Sequence, residues 1–173
     1  MKMKSAMLAV LILINGGLCV GQNKAHPTMH LYAKPTKSHF KRGETVTLSY
    51  SLTNTSTARR LVGASPAIGS EISLEITGPN AKSVPWEGAV YNDRTPGVIE
   101  LVLLFPTRQI SGTTIIPTSC NPLGEGGYCL DKPGRYVATA SYRTSDEAFG
   151  ISTCDSLIAA GPYRSEPFEF WID

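Results

Sequence analysis

Cys120, Cys129 and Cys154, with His26, His30 and His39, are the residues of this 173-residue chain best suited to covalent or metal chemistry. Nucleophilic catalysis needs a hydroxyl or thiol beside a base, most often a histidine. Here the histidines cluster near the start of the chain and these cysteines lie in its last third, so local sequence brings no thiol to an imidazole. His26 and His30 have the i, i+4 spacing that serves a metal on a helix, but Pro27 and the lack of helical period argue against a helix there. Asp146 and Glu147 are adjacent carboxylates, and neighbours in sequence point apart. With Asp155 they could contribute to a calcium site, but a solvated loop edge is the simpler reading. There is no G-x-S-x-G elbow, no H-E-x-x-H, no phosphate-binding glycine loop and no EF-hand ladder. The expectation is a protein that is not an enzyme and has no catalytic residue, metal or cofactor.

Lys2 and Lys4 precede an apolar run from Ala6 to Ile14, and small or uncharged residues follow through Gly21, the layout of a secretory signal peptide. The run is too short for a stable bilayer span, so no transmembrane segment is expected in the mature chain. Cleavage after Gly21 satisfies the small-residue rule at Cys19 and Gly21. A lipid anchor at Cys19 is disfavoured because Leu18 is large. The predicted organisation is a signal peptide over 1–21, a flexible leader over 22–29 and a single domain over 30–173, periplasmic or secreted.

Loss of Lys2 and Lys4 from the 16 Lys and Arg leaves them equal in number to the 14 Asp and Glu. A neutral domain without a basic run lacks the cationic footprint of nucleic-acid binding, so nucleic acid is set aside as a partner. Another envelope or extracellular protein is expected instead.

Export also places the three remaining cysteines where disulfides persist. Cys120 and Cys129 flank NPLGEGGY, a glycine-rich segment able to bend back on itself, and they are the favoured pair. Closing so short a loop stabilises a fold by roughly 2 to 3 kcal/mol. Cys154 is then a buried thiol, an alternative partner for Cys129 or an intermolecular link, and all three pairings stay open.

Period-two alternation dominates the mature chain. Val46, Leu48, Tyr50 and Leu52 alternate with hydroxyl residues; Ile72, Leu74 and Ile76 repeat the pattern; Tyr136, Ala138, Ala140 and Tyr142 follow the Pro133-Gly134 turn; Phe168, Phe170 and Ile172 close the chain. Shorter strands are predicted at His30 to Lys34 and Ile110 to Pro117. VIELVLLF, at 98 to 105, is apolar on both faces. Ile99, Leu101, Leu103 and Phe105 are assigned to the core, leaving Val102 and Leu104 in need of cover. Segments 57–69, 81–97 and 145–162 are expected as connections. Trp86, Tyr91, Asp146 and Glu147 within them are the candidate contact residues. About seven strands, turn signals and no helical period predict an all-β immunoglobulin-like sandwich.

RGETVTLSYSLTNTS at 42–56, LDKPGRYVATASY at 130–142 and Ser165 to Phe170 together resemble a group of exported bacterial immunoglobulin-like domains. They are also similar to the BsuPI-type proteinase-inhibitor domain. The resemblance covers most of 42–173 and implies a sandwich in which Leu130, Pro133, Gly134 and Tyr136 form a tyrosine corner, the phenol hydroxyl tying back to upstream backbone. No inhibitory-loop motif matches residue by residue, so no functional residue is carried over. The resulting expectation is an exported non-enzymatic binding module, with proteinase inhibition through a rigid surface loop as the alternative.

Overall fold

The computed structural model describes residues 28–87, 101–118, 120, 126–144, 158–159 and 161–173. Among them the chain forms β1 (Met29–Pro35), β2 (His39–Phe40), β3 (Thr47–Asn54), β4 (Arg60–Gly63) and β5 (Ile72–Thr77). A one-turn 3-10 segment, Pro79–Ala81, leads to β6 (Ser83–Val84), β7 (Trp86–Glu87), β8 (Leu101–Leu104) and β9 (Gln109–Ile115). The last strands are β10 (Gly127–Tyr128), β11 (Gly134–Tyr142), β12 (Tyr163–Arg164) and β13 (Phe168–Ile172). No helix among the described residues is long and apolar enough to cross a membrane.

The strands form an all-β structure of several sheets. A three-stranded sheet has the order β1-β3-β9. A larger sheet runs β2-β13-β11-β5-β6, with β12 also on β11, and two ribbons pair β10 with β7 and β4 with β8. Alternation sets the faces, because successive side chains point to opposite sides of a strand. Leu48, Tyr50 and Leu52 from the small sheet and Ile72, Leu74, Ile76, Tyr136, Ala138, Phe168 and Phe170 from the large one share one buried cluster. β1 lies against β11, β12 and β13, bringing the two sheets together around that cluster.

Three expectations are corrected. The predicted leader ends too late: Met29 is buried, and Thr28 is anchored by its carbonyl to Thr55 N (3.1 Å) and by its hydroxyl to Tyr163 Oη (2.9 Å). Segment 57–69 is more than a connection, because it holds β4, four residues too short to show a period. In β8 the assigned face is inverted. Leu104 is buried and Val102 packs on the core, while Leu103 and Phe105 are exposed. An apolar run carries no parity of its own, so pairing decides it. β8 is registered on β4, with Leu104 opposite Arg60, and the buried Asn54 amide donates to the Leu104 carbonyl at 2.9 Å. The Arg59 guanidinium lies over the displaced Phe105 ring, 4.8 Å from its centroid.

Candidate functional site

The polar groups of the interior are spent on holding strands together. Tyr136 Oη donates to the Lys132 carbonyl (2.8 Å), closing the corner over the Pro133-Gly134 turn, with Leu130 buried beneath. Gly134 is obligatory there. Its φ is +134°, and a Cβ at this position would stand 2.8 Å from Pro79 Cγ. Tyr128 Oη accepts from Leu74 N (3.1 Å) and donates to Leu74 O (2.8 Å), fastening β10 to β5. Tyr142 Oη accepts from Gly63 N (3.1 Å) and lies 3.1 Å from Thr144 Oγ1, which donates to Ala159 O (2.7 Å). Asn54 donates to the Ala58 and Leu104 carbonyls and accepts from Ser56 N and Oγ. Burial raises the Tyr50, Tyr128, Tyr136 and Tyr142 hydroxyls above their ordinary range, so they remain protonated donors well into alkaline solution. These groups are structural ties.

Cys120 and Cys129 are joined, with Cα atoms 4.5 Å apart. Asp131 lies close to both sulfurs, and Cys129 Sγ is 3.4 Å from its Oδ1. Both sulfurs are committed to the disulfide, and cysteine ligates a metal as its thiolate, so the oxidised pair supplies no thiolate ligand beside Asp131. The base of the bridged loop is well held: Tyr128 N donates to Pro117 O at 2.8 Å, and Thr118 bridges Tyr128 in parallel.

Trp86 does not lie in a loop as expected. It belongs to β7, is half-buried, and meets the Tyr128 ring edge to face at 5.0 Å, packed against the core. Tyr91, Asp146, Glu147 and Cys154 lie outside the described residues, as do the predicted signal peptide and the lipid-anchor candidate Cys19.

The exposed groups that could recognise a ligand meet instead on the outer face of the large sheet. Alternation buries Phe170 and Ile172 and turns Trp171 outward, where it stays 41% exposed. The His39 ring lies parallel to the indole (7° between planes, centroids 6.0 Å apart), held by Nδ1 against Asp173 Oδ1 at 3.1 Å. Across the ladder, Arg135 is opposite Trp171 and forms a two-point ion pair with Glu169, one arm Nε to Oε2 at 2.9 Å. That guanidinium holds the Glu169 carboxyl below its ordinary range, and the carboxylate raises Arg135 in turn. Beyond Arg135 and Val137 opens a cleft of about 340 Å³, walled by Thr77 and the 78–81 turn. Asn80 and Ala81 in that wall adopt positive φ, +64° and +56°, a conformation that costs a residue with a Cβ. The face thus offers an aromatic platform, a guanidinium and a cleft. The outward parity of Trp171 in FEFWI was the signal that could have located it.

No protein-family model matches this chain, and no curated protein does. Among solved structures, the Pseudomonas fluorescens alkylpurine DNA glycosylase AlkC, bound to DNA containing an abasic site analog, matches at 13% identity and a TM-score of 0.43. The match covers 86% of this chain but only 31% of that one. A similarity of that size transfers neither fold nor function.

Proposed function

We propose that the chain is an exported, non-enzymatic binding module on an immunoglobulin-like sandwich, and that it meets another envelope or extracellular protein through the outer face of its large sheet. The observation that carries this reading is Trp171, a large aromatic on β13, exposed beside Arg135 and braced by His39. Trp and Arg are the residue types most often found to dominate protein interfaces. Their backbone here belongs to a rigid ladder, which lowers the entropy lost on binding. The Tyr136 tie to Lys132 and the two facing sheets support the sandwich assignment. Crosslinking in native envelopes, followed by mass spectrometry, tests it. A partner captured by the wild type and lost from a folded Trp171→Ala variant supports the proposal, and capture indifferent to Trp171 removes it.

The bridged loop favours proteinase inhibition as a second reading. A loop that resists cleavage must be held rigidly at its base, and the disulfide together with the Tyr128 anchor holds this one. A panel of secreted proteases left fully active by excess protein would exclude it.

A further inference from the structure

The outer face of the three-stranded sheet, opposite the Trp171 face, has a different composition and calls for a different ligand. Its side chains stand in register across β1, β3 and β9: Tyr32 beside Ser51 beside Ser111, and Lys34 beside Ser49 beside Thr113. Thr47 and Thr53 extend the middle row at either end. Six hydroxyls thus form a grid with about 6.8 Å between rows along a strand and about 4.8 Å between strands. Every hydroxyl can both donate and accept. No charge lies within β3 or β9, and Lys34 stands at one margin. Beside the grid the Tyr32 ring is 48% exposed, with Lys34 Nζ over one side of it, 5.8 Å from the centroid.

Solvent faces usually mix both signs of charge, and serine favours turns over strand interiors because its hydroxyl competes for backbone partners. Among the described residues β9 is also the edge of its sheet. Ile116 N bonds Val46 O, so the even-numbered residues of β9 exchange hydrogen bonds with β3. The backbone groups of Ser111 and Thr113 therefore point off the sheet beside their own side chains. Edges are normally protected by Lys or Pro, and Gln109–Ile115 has neither. Gly112 is fixed by the core, since a Cβ there would come within 2.8 Å of Tyr50 Oη.

We propose that this face is a binding site for a neutral glycan. Uncharged groups able to donate and accept on a repeating spacing complement a polymer of hydroxyls, and the exposed Tyr32 ring offers a surface for the apolar side of a sugar. A polyanion would meet too little positive charge. A protein interface centre would be depleted of serine and richer in aromatic residues. The proposal is independent of the protein-binding reading, because it uses the other sheet.

Affinity electrophoresis of the full mature chain through gels containing laminarin, xylan, mannan or dextran, with alginate as the anionic comparison, tests it. Retardation by at least one neutral polymer is expected, falling tenfold or more in apparent affinity in Tyr32→Ala and in Ser51→Glu, with Trp171→Ala unaffected. Ser111→Glu, on the exposed edge strand, replaces Ser51→Glu if thermal melting shows the latter to be misfolded. Migration unchanged by every neutral polymer, retardation by alginate alone, or full retention of binding in the folded Glu variants would overturn the proposal.

Discussion

The two outer faces of this protein have the same strand geometry and different chemistries. On the large sheet, charged and aromatic groups are already engaged with one another: Arg135 with Glu169, Arg164 with Glu75 at 2.5 Å, and His39 with Trp171. On the small sheet the middle strand presents only hydroxyls, and among the described residues Thr53 Oγ1 donates across the grid to Gln109 Oε1 at 3.4 Å. Paired charges preset a face for one orientation of a partner. A grid of hydroxyls, on the proposal above, would accept a repeating ligand in several registers. The difference teaches that the scaffold does not dictate function here: both sheets bury their inner faces in one cluster, and only the outward half of each alternating pattern differs.

Removing what the faces share should have the largest effect. Gly134→Ala forces a Cβ against Pro79 at a φ that alanine resists, and should destabilise the fold by about 2 to 3 kcal/mol, roughly 5 to 10 °C in melting temperature, weakening both faces together. An unchanged melt would mean that the corner does not hold the sheets. Trp171→Ala separates the faces: an approximately thirtyfold loss of protein-partner affinity is expected, corresponding to about 2 kcal/mol, with neutral-glycan retardation intact. Equal loss of both would merge the two faces into one site.

Tyr136→Phe removes the Lys132 tie and should cost about 1 kcal/mol by chemical denaturation. The same hydroxyls predict the alkaline limit. Burial raises the four core tyrosines above 10.0, so the unfolded chain releases these protons first. Their contribution is fully present below pH 10 and is lost as pH rises through the folded values. Melting temperatures that hold steady up to pH 9 and fall beyond 10, with tyrosinate absorbance appearing late, would match; early tyrosinate absorbance would not. The smallest effect is expected from Glu169→Gln. That pair is fully exposed, so the melt should not move resolvably, while partner binding changes in its salt dependence.

Much of the interior was legible beforehand. Val46 to Leu52, Ile72 to Ile76, Tyr136 to Tyr142 and Phe168 to Ile172 alternate in the sequence, and the inward set of each, from Val46 and Leu48 to Phe170 and Ile172, is buried. The disulfide pair was legible because nine positions with several glycines can close on themselves. The proposed contact surface was not. Trp86 stands among loop-forming residues, yet its ring is half-buried against Tyr128, because two-residue strands such as β7 and β10 show no period until each has found the other.

Alternation determined which side of each amphipathic strand faces inward, because burying one face and wetting the other is a property of a strand's own residues. Partnering was decided only in three dimensions. Leu104 and not Leu103 is buried because β4 and the Asn54 amide fix the register of β8, and on a strand apolar on both sides no local signal could do so. The two outer faces arose in the same way: the sequence determines that Tyr32, Ser51 and Ser111 point outward, but only the pairing of β1, β3 and β9 sets them side by side.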